Sequence, residues 1–142
     1  MRQCRSVAGI ALEGNRIFVA RRKAGGDLGG KWEFPGGKAG EGESDKDALV
    51  REYGEEFAVP VEAGPFLGEA SFEHGGRQFS LMAYRIRFLQ TGFRAAEHDE
   101  WRWVTLEEIK KLDFAPSDLL LLPSLQAYLE GQPRVEDMDR RP

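Results

Sequence analysis

One well-marked helix separates two groups of strand-like segments, and it constrains the fold more than any other feature of this sequence. Residues 44–57 begin with Ser44, a favoured helix cap, and Asp47 follows three residues later in a capping-box arrangement. Apolar side chains then recur at every fourth position and give the helix one buried face: Leu49, Tyr53 and Phe57. Gly54 weakens this helix by ~1 kcal/mol relative to alanine, so tertiary contacts must stabilise its second half.

Short apolar segments predict strands on both sides of this helix. Before it they are 7–12, 16–20 and 32–34. After it they are 66–72, 78–88 and 101–104. The first two segments of the chain flank a polar turn, as do the first two after the helix, so each pair predicts a β-hairpin. The Pro-Gly-Gly sequence at 35–37 is expected to end the third strand.

Two further helices are predicted near the end of the chain. Thr105 and Glu108 form a second capping box that opens a short helix to about Leu112. Residues 117–128 carry leucines at helical spacing and predict a terminal amphipathic helix whose first turns Pro123 makes irregular. Strands, a helix, more strands and final helices predict an α/β (α+β) fold in which helices cover both faces of a mixed β-sheet.

The bulk properties of the chain exclude several classes of protein. Its 142 residues suit one compact domain, expected over 1–131, with the polar segment 132–142 as a flexible tail. The net charge of −4 argues against a broad basic surface for DNA or RNA. Cys4 is the single cysteine, which excludes an intrachain disulfide, and no apolar run approaches the ~20 residues of a membrane span. We expect a soluble cytoplasmic protein, either a monomer or a homodimer.

Three glutamates on the predicted helix supply the first chemical signal. Glu52, Glu55 and Glu56 lie at i, i+3 and i+4 and therefore project from one helix face. Like charges at this spacing repel by ~0.2–0.5 kcal/mol per pair, which favours a bound cation. Mg²⁺ prefers oxygen ligands and commonly accompanies substrate phosphates. The three glutamates alone are also typical of a solvated acidic helix face, so their context decides between the two interpretations.

The residues around these glutamates follow a long pattern of fixed spacing. Gly37 is followed after five residues by Glu43, and after seven more by the Arg-Glu pair at 51–52. This arrangement resembles the Nudix box, and every charged position of that box is matched. Tyr53 stands where the box has an aliphatic residue, and Ala58 stands where it has a glycine that eases the chain out of the helix.

The resemblance extends to three segments outside the box that are similar to MutT-type Nudix members: 33–38, 97–98 and 114–118. It implies an α/β/α sandwich with a mixed sheet. It also implies hydrolysis of a nucleoside triphosphate to the monophosphate and pyrophosphate, with Mg²⁺ as cofactor and Mn²⁺ able to substitute. In that chemistry, metal ions neutralise the phosphate charge and lower the pKa of a bound water.

The same resemblance implies the metal-binding and catalytic residues. The expected metal ligands are four carboxylates and one backbone carbonyl: Glu52, Glu55, Glu56, Glu97 and Gly36. One carboxylate takes the proton of the attacking water, and Glu52 is the first candidate, with Glu55 and Glu97 next. Arg51 is expected to orient Glu52 or Glu55, the alternative being an ordinary surface ion pair.

Asp118 is the residue most informative about the nucleobase. When ionised it only accepts hydrogen bonds, so it can pair with the amine of cytosine or adenine, or with the N1 and N2 protons of guanine. Its Ala-Pro-x-Asp context resembles the CTP type, which ranks CTP, dCTP or an oxidised pyrimidine nucleotide first and 8-oxo-dGTP second. The alternative is an acid that merely favours the first turn of the last helix. The remaining expected substrate-binding residues are Glu33, Phe34, Arg22 and Arg77.

Several alternatives remain open at this point. Phe34 can equally belong to the core, and Arg22 and Arg77 can be ordinary surface charges. A non-catalytic nucleotide-binding module usually loses box glutamates, whereas this chain keeps all of them, and only Ala58 favours that class. A plain structural domain does not require the fixed spacing of the box. Nudix hydrolases also act on nucleotide sugars, dinucleoside polyphosphates and coenzymes, but the MutT-like segments favour a triphosphate.

Overall fold

Seven β-strands form one mixed sheet in the computed structural model, which describes residues 3–131. The strands are β1 Gln3–Glu13, β2 Arg16–Arg22, β3 Trp32–Glu33, β4 Gly36–Lys38, β5 Val61–His74, β6 Arg77–Phe88 and β7 His98–Val104. Their order is β3-β2-β1-β6-β5, with β4 paired to β1 and β7 paired to β2. β1 and β6 run parallel, whereas β1–β2 and β5–β6 are antiparallel, as both predicted hairpins require. The predicted tail at 132–142 lies outside the described residues.

Helices cover both faces of this sheet. They are α1 Asp45–Phe57, α2 Leu106–Ile109, α3 Pro116–Leu119 and α4 Leu122–Glu130. Alternate residues of β2 point to opposite faces. Phe18 packs in the core that contains Phe57 of α1, whereas Ile17 and Val19 pack in the core that contains Leu125 of α4. The sheet is therefore the middle layer of an α/β/α sandwich, which confirms the predicted fold class. Within residues 3–131, no helix combines the length and the hydropathy needed to cross a bilayer.

Helix α1 begins and ends with the expected geometry. The Ser44 hydroxyl accepts a hydrogen bond from the backbone N–H of Asp47 and so caps the helix. After the last turn, Ala58 adopts the left-handed conformation, with φ 52° and ψ 39°, and its N–H donates to the carbonyl of Gly54. Ala58 thus makes the helix end that a glycine would make, at a cost in backbone strain of roughly 1–2 kcal/mol.

A glycine on β1 accommodates Tyr53, the second departure from the box. Tyr53 is fully buried, and its hydroxyl oxygen lies 3.2 Å from the carbonyl oxygen of Gly9 and 3.1 Å from that of Pro35. A Cβ atom at Gly9 would lie 2.6 Å from the same hydroxyl oxygen, so a larger residue would collide with the ring. Because its hydroxyl is hydrogen-bonded, Tyr53 packs α1 against the sheet without leaving a buried polar group unsatisfied.

Some predicted boundaries were wrong. Residues 36–38 do not end strand structure, because they pair with β1 as strand β4. β5 begins at Val61 rather than at residue 66, since register shifts absorb the intervening Gly-Pro pair. The helix predicted to reach Leu112 ends at Ile109 and continues only as a turn. The helix predicted over 117–128 is split into α3 and α4, and Pro123 lies in the first turn of α4, where a missing N–H costs little.

Candidate active site

Helix α1 presents its box carboxylates at three different depths. Glu56 is buried, with 3% of its surface exposed, whereas Glu52 is half-buried and Glu55 is exposed. A Cβ atom at Gly37 would lie 2.5 Å from the carboxylate carbon of Glu52. The box glycine therefore has a physical role here, because its missing side chain lets Glu52 lie directly against β4.

Arg51 binds the neighbouring carboxylates through all three nitrogens of its guanidinium group. Nε and Nη2 donate to the two oxygens of Glu43 at 2.8 and 3.0 Å. Nη1 donates to Glu52 at 3.0 Å and to Glu55 at 3.3 Å. The hydrogen bonds from Arg51 lower the pKa of Glu43 to about 2, so this anchor stays ionised at neutral pH. Arg51 thus contacts both glutamates that it is predicted to orient, and Glu43 holds it in place.

Glu56 has the most strongly perturbed environment of the box glutamates. Burial, followed by the charges of Glu33, Glu52 and Glu97, raises the pKa of Glu56 to about 9. Among the residues that the structure describes, neither carboxylate oxygen of Glu56 has a hydrogen-bond partner. A buried carboxylate without donors is costly unless a cation or a proton neutralises it. The unsatisfied oxygens of Glu56 therefore fit a divalent cation bound at this face of α1.

One cleft of about 410 Å³ gathers most of the predicted site residues. Those on its walls are Arg22, Glu33, Phe34, Gly36, Glu52, Glu97 and Asp118. Arg77 lies outside it, in a neighbouring cleft with Arg5, and Lys38 lines both clefts. Arg51, Glu55 and Glu56 are not on the walls of this cleft, but they adjoin Glu52 on α1. The cleft therefore brings Glu52 of the box, Glu97 and the predicted base-reading residues together from distant parts of the chain.

Asp118 reaches this cleft from α3. Its Oδ2 accepts a hydrogen bond from the backbone N–H of Phe34 at 2.9 Å, and Phe34 packs edge-to-face on Phe114. Burial, together with the charge of Glu33, raises the pKa of Asp118 to about 7, although the bond from Phe34 opposes the shift. Asp118 is therefore divided between its protonated and ionised forms near neutral pH, and the protonated form can donate a hydrogen bond as well as accept one.

Comparison with known proteins agrees with this geometry. The NUDIX domain family matches residues 2–125. The chain belongs to the Nudix family. The CTP pyrophosphohydrolase of Escherichia coli (strain K12) is 33% identical over 133 residues, which cover 94% of this chain and 98% of that relative. The 8-oxo-dGTP diphosphatase of the same strain is 28% identical over 117 residues, covering 82% and 91% respectively.

The solved structures similar to this Nudix chain include the solution structure of the E. coli ORF135 protein. It aligns with a TM-score of 0.83 at 34% identity and covers 94% of this chain and 95% of that chain. The resemblance inferred from the box is thus confirmed, and the protein is an enzyme, a Nudix pyrophosphohydrolase. Nudix hydrolases generally use divalent metal ions, and the acidic face of α1 offers the oxygen ligands that such ions prefer.

One residue of this Nudix site was noted in the sequence only as part of the 97–98 segment and was given no role of its own. His98 is buried at the start of β7, and its Nε2 lies 2.8 Å from Oε2 of Glu33 and 3.9 Å from Oε1 of Glu56. Its signal in the sequence was limited to its place next to Glu97. Glu33 and His98 meet because β3 and β7 both pair with β2, a contact that local patterns do not reveal.

Proposed function

We propose that this enzyme hydrolyses a nucleoside triphosphate to the monophosphate and pyrophosphate, using Mg²⁺, for which Mn²⁺ can substitute. The observation that carries the proposal is the shared cleft, which is lined by Glu52, Glu97 and Gly36 and also by Glu33 and Asp118. Its volume of about 410 Å³ suits a small molecule. The net charge of −4 favours a free nucleotide over a nucleic-acid polymer as the substrate.

The proposed metal ligands all offer oxygen atoms, which Mg²⁺ prefers. They are the carboxylates of Glu52, Glu55, Glu56 and Glu97 and the carbonyl of Gly36. The two unpartnered oxygens of buried Glu56, within the described part of the chain, support this assignment. When bound, the metal ions supply charge neutralisation on the phosphates and a lowered pKa of a coordinated water.

Glu52 is the proposed general base, with Glu55 and Glu97 as alternatives. Oε1 of Glu52 accepts a hydrogen bond from Arg51 at 3.0 Å, which leaves its other oxygen to take a proton. Arg51 is itself bound to both oxygens of Glu43, so the orientation of Glu52 does not depend on the substrate. This preorganisation favours catalysis because the carboxylate does not have to be oriented during the reaction.

Two carboxyl groups favour a base that offers hydrogen-bond donors. Glu33 and Asp118 line the same cleft, and an ionised carboxylate only accepts hydrogen bonds. The exocyclic amine of cytosine provides such a donor, so CTP, dCTP or an oxidised pyrimidine nucleotide ranks first. The E. coli relative that is 33% identical is named CTP pyrophosphohydrolase, which supports the same order. Phe34 and Arg22 line the cleft beside them, and Arg77 in the neighbouring cleft completes the proposed substrate-binding set.

8-oxo-dGTP is the second candidate substrate. With its pKa raised to about 7 by burial, Asp118 can also donate a hydrogen bond to a base oxygen in its protonated form. A relative that is 28% identical is named 8-oxo-dGTP diphosphatase. Other substrates that contain a linked nucleoside diphosphate, such as nucleotide sugars, would undergo the same phosphate chemistry. Their recognition would not depend on the base contacts proposed for Glu33 and Asp118.

A substrate panel tests the proposed specificity. Values of kcat/KM are measured with Mg²⁺ for the natural triphosphates, oxidised pyrimidine triphosphates, 8-oxo-dGTP, ADP-ribose and a dinucleoside polyphosphate. We expect a cytosine or oxidised-pyrimidine triphosphate to rank first. Asp118→Asn is expected to reorder the bases while changing the highest kcat less than the ranking, because the amide adds a donor. An unchanged ranking would remove Asp118 from base recognition, and turnover of only ADP-ribose or the dinucleotide would contradict the triphosphate assignment.

A further inference from the structure

His98 lies between two carboxyl groups to which we assign different tasks. Its side chain is buried and stacks on the ring of Phe57, with centroids 5.0 Å apart and an interplanar angle of 15°. Nε2 is 2.8 Å from Oε2 of Glu33, which lines the nucleotide cleft. The same atom is 3.9 Å from Oε1 of Glu56, a proposed metal ligand. The stacked ring cannot turn freely, so the position of Nε2 is fixed by the core.

The surroundings of the second ring nitrogen indicate which tautomer is present. Nδ1 of His98 is buried and has no hydrogen-bond partner among the residues that the structure describes. A buried N–H group without an acceptor is rarer and less tolerated than a buried acceptor without a donor. Nε2 lies 2.8 Å from a carboxylate oxygen of Glu33, which accepts hydrogen bonds, so the ring proton is assigned to Nε2, which donates to Glu33.

The same observation argues against His98 as a ligand to a metal ion in this cluster. Ligand atoms of Glu33, Glu56 and His98 lie within 4.8 Å of one another, which is compatible with one ion. A metal-bound histidine, however, almost always donates its other ring N–H to a carboxylate, a carbonyl or water. Nδ1 of His98 has no carboxylate or carbonyl acceptor within residues 3–131. The contact of His98 with Glu33 is thus better explained as a hydrogen bond than as half of a metal site.

We propose that His98 is a positioning residue for base selection. By donating Nε2–H to Oε2 of Glu33, it fixes that carboxylate so that Oε1 is the acceptor presented to the nucleobase. Arg22 reinforces this arrangement, because its Nη1 lies 3.5 Å from the same Oε2 atom. The inference rests on the proposed function, in which Glu33 contacts the base. In this arrangement the buried imidazole of His98 controls how Glu33 makes that contact.

Two substitutions separate the hydrogen bond from the packing. His98→Met fills the buried space with a flexible apolar side chain and removes the donor. His98→Gln places an amide N–H near the position of Nε2 and restores the donor. We expect His98→Met to lower the kcat/KM ratio for CTP over UTP roughly tenfold, the size of effect that loss of a charge-assisted hydrogen bond gives. His98→Gln is expected to retain most of that ratio.

A double-mutant cycle with Glu33→Gln distinguishes positioning from simple destabilisation. If His98 acts through Glu33, Glu33→Gln alone lowers the CTP/UTP ratio, and adding His98→Met changes it little further. Equal losses of kcat/KM for both substrates, or additive effects in the double variant, would assign His98 a structural role and overturn the inference. A ring ¹⁵N NMR spectrum that places the proton of His98 on Nδ1 would overturn it as well.

The cycle also separates this inference from the proposed function. If Glu33→Gln alters the ratio and His98→Met does not, the inference about His98 is wrong while base reading by Glu33 stands. If Glu33→Gln leaves the CTP/UTP ratio unchanged although the enzyme cleaves CTP, Glu33 does not read the base. The inference about His98 is then wrong as well, whereas triphosphate hydrolysis remains supported. If the wild-type enzyme cleaves no triphosphate, the proposed function itself is wrong.

Discussion

Asp118 shows how burial changes the chemistry expected of a carboxyl group. From the sequence it is an acceptor, whereas burial in the cleft raises its pKa to about 7, and Phe34 occupies one of its oxygens. Base reading by Asp118 therefore depends on pH, since the protonated form predominates below about 7 and the ionised form above it. The resemblance of 114–118 to MutT-type members suggested the role of Asp118, but burial determines which hydrogen bonds it can form.

The raised pKa of Asp118 predicts a pH-dependent loss of stability. In the unfolded chain Asp118 loses its proton near its ordinary pKa of 3.8, whereas in the folded protein it does so near 7. The folded state holds the extra proton between these values, so the free energy of unfolding falls as pH rises from about 4 to 7. Asp118→Asn cannot ionise, and we expect it to be more stable than wild type at pH 8 by on the order of 2–4 kcal/mol.

Urea unfolding of metal-free protein at pH 4 and pH 8 measures this effect. At pH 4 both folded proteins carry a neutral side chain at position 118, and their free energies of unfolding should agree within about 1 kcal/mol. A variant that is equally stable, or less stable, than wild type at pH 8 would contradict the raised pKa. Asp113→Asn is a suitable control, because Asp113 is exposed and does not line the cleft.

At the scale of single elements, the backbone at the C-terminal end of α1 is strained, and one substitution should relieve this strain. Ala58 is the one non-glycine residue with positive φ in the described part of the chain, and its side chain is exposed. Ala58→Gly should raise the free energy of unfolding by roughly 0.5–1 kcal/mol, because relief of the left-handed strain exceeds the entropy that glycine adds to the unfolded chain. Kinetic constants should not change, since no ligand moves.

Ala127→Gly is the matched control for this prediction. Ala127 is exposed within α4, where glycine is expected to lower the free energy of unfolding by about 0.5–1 kcal/mol. Opposite signs for the two alanine-to-glycine changes in thermal or denaturant unfolding would support the strained helix end. Destabilisation by Ala58→Gly would show that its conformation carries no such strain.

Strand β4 and helix α1 meet at Gly37, where a substitution is expected to lower activity while the protein still folds. A Cβ atom at Gly37 would lie 2.5 Å from the carboxylate of Glu52, at the flexible end of that side chain. Gly37→Ala should therefore fold, but it should displace Glu52 and lower kcat by at least about tenfold through lost positioning. Mn²⁺ binding, followed by electron paramagnetic resonance, should weaken in parallel.

Gly54→Ala provides the comparison on the same helix. No heavy atom lies within 4 Å of a Cβ built on Gly54, and alanine is favoured over glycine by ~1 kcal/mol in a helix interior. We expect Gly54→Ala to raise stability and leave kcat unchanged. Full activity in Gly37→Ala would show that the close approach of Glu52 to β4 is not needed for catalysis.

At the scale of the whole molecule, local signals and long-range contacts differ in how far the sequence reveals them. The cap at Ser44, the apolar stripe of α1 and the turns of both hairpins are local, and the structure confirms them. Strand β4 was missed because its pairing depends on β1, about thirty residues earlier in the chain, and not on its own glycine-rich sequence. The break between α3 and α4 likewise follows burial of Leu121 and Leu125 in the core.

The residues of the candidate site show the same difference between local signals and long-range contacts. The spacing of the box places its carboxylates on one helix face, because a helix relates residues three and four positions apart. The contact of His98 with Glu33 joins residues 65 positions apart, and no local pattern reports it. Arg77 was predicted among the nucleotide-binding residues, and it lines a neighbouring cleft that shares Lys38 with the cleft of Glu33.

Identification of the reaction products tests the central claim most directly. The enzyme is incubated with CTP and Mg²⁺, and the products are separated by ion-exchange chromatography, with Glu56→Gln compared against Glu107→Gln, an exposed charge change on α2. We expect wild type and Glu107→Gln to release CMP and pyrophosphate, and Glu56→Gln to be slower by orders of magnitude, on the order of 10²-fold or more. Release of CDP and phosphate, or full activity in Glu56→Gln, would contradict a metal-dependent pyrophosphohydrolase built on this helix.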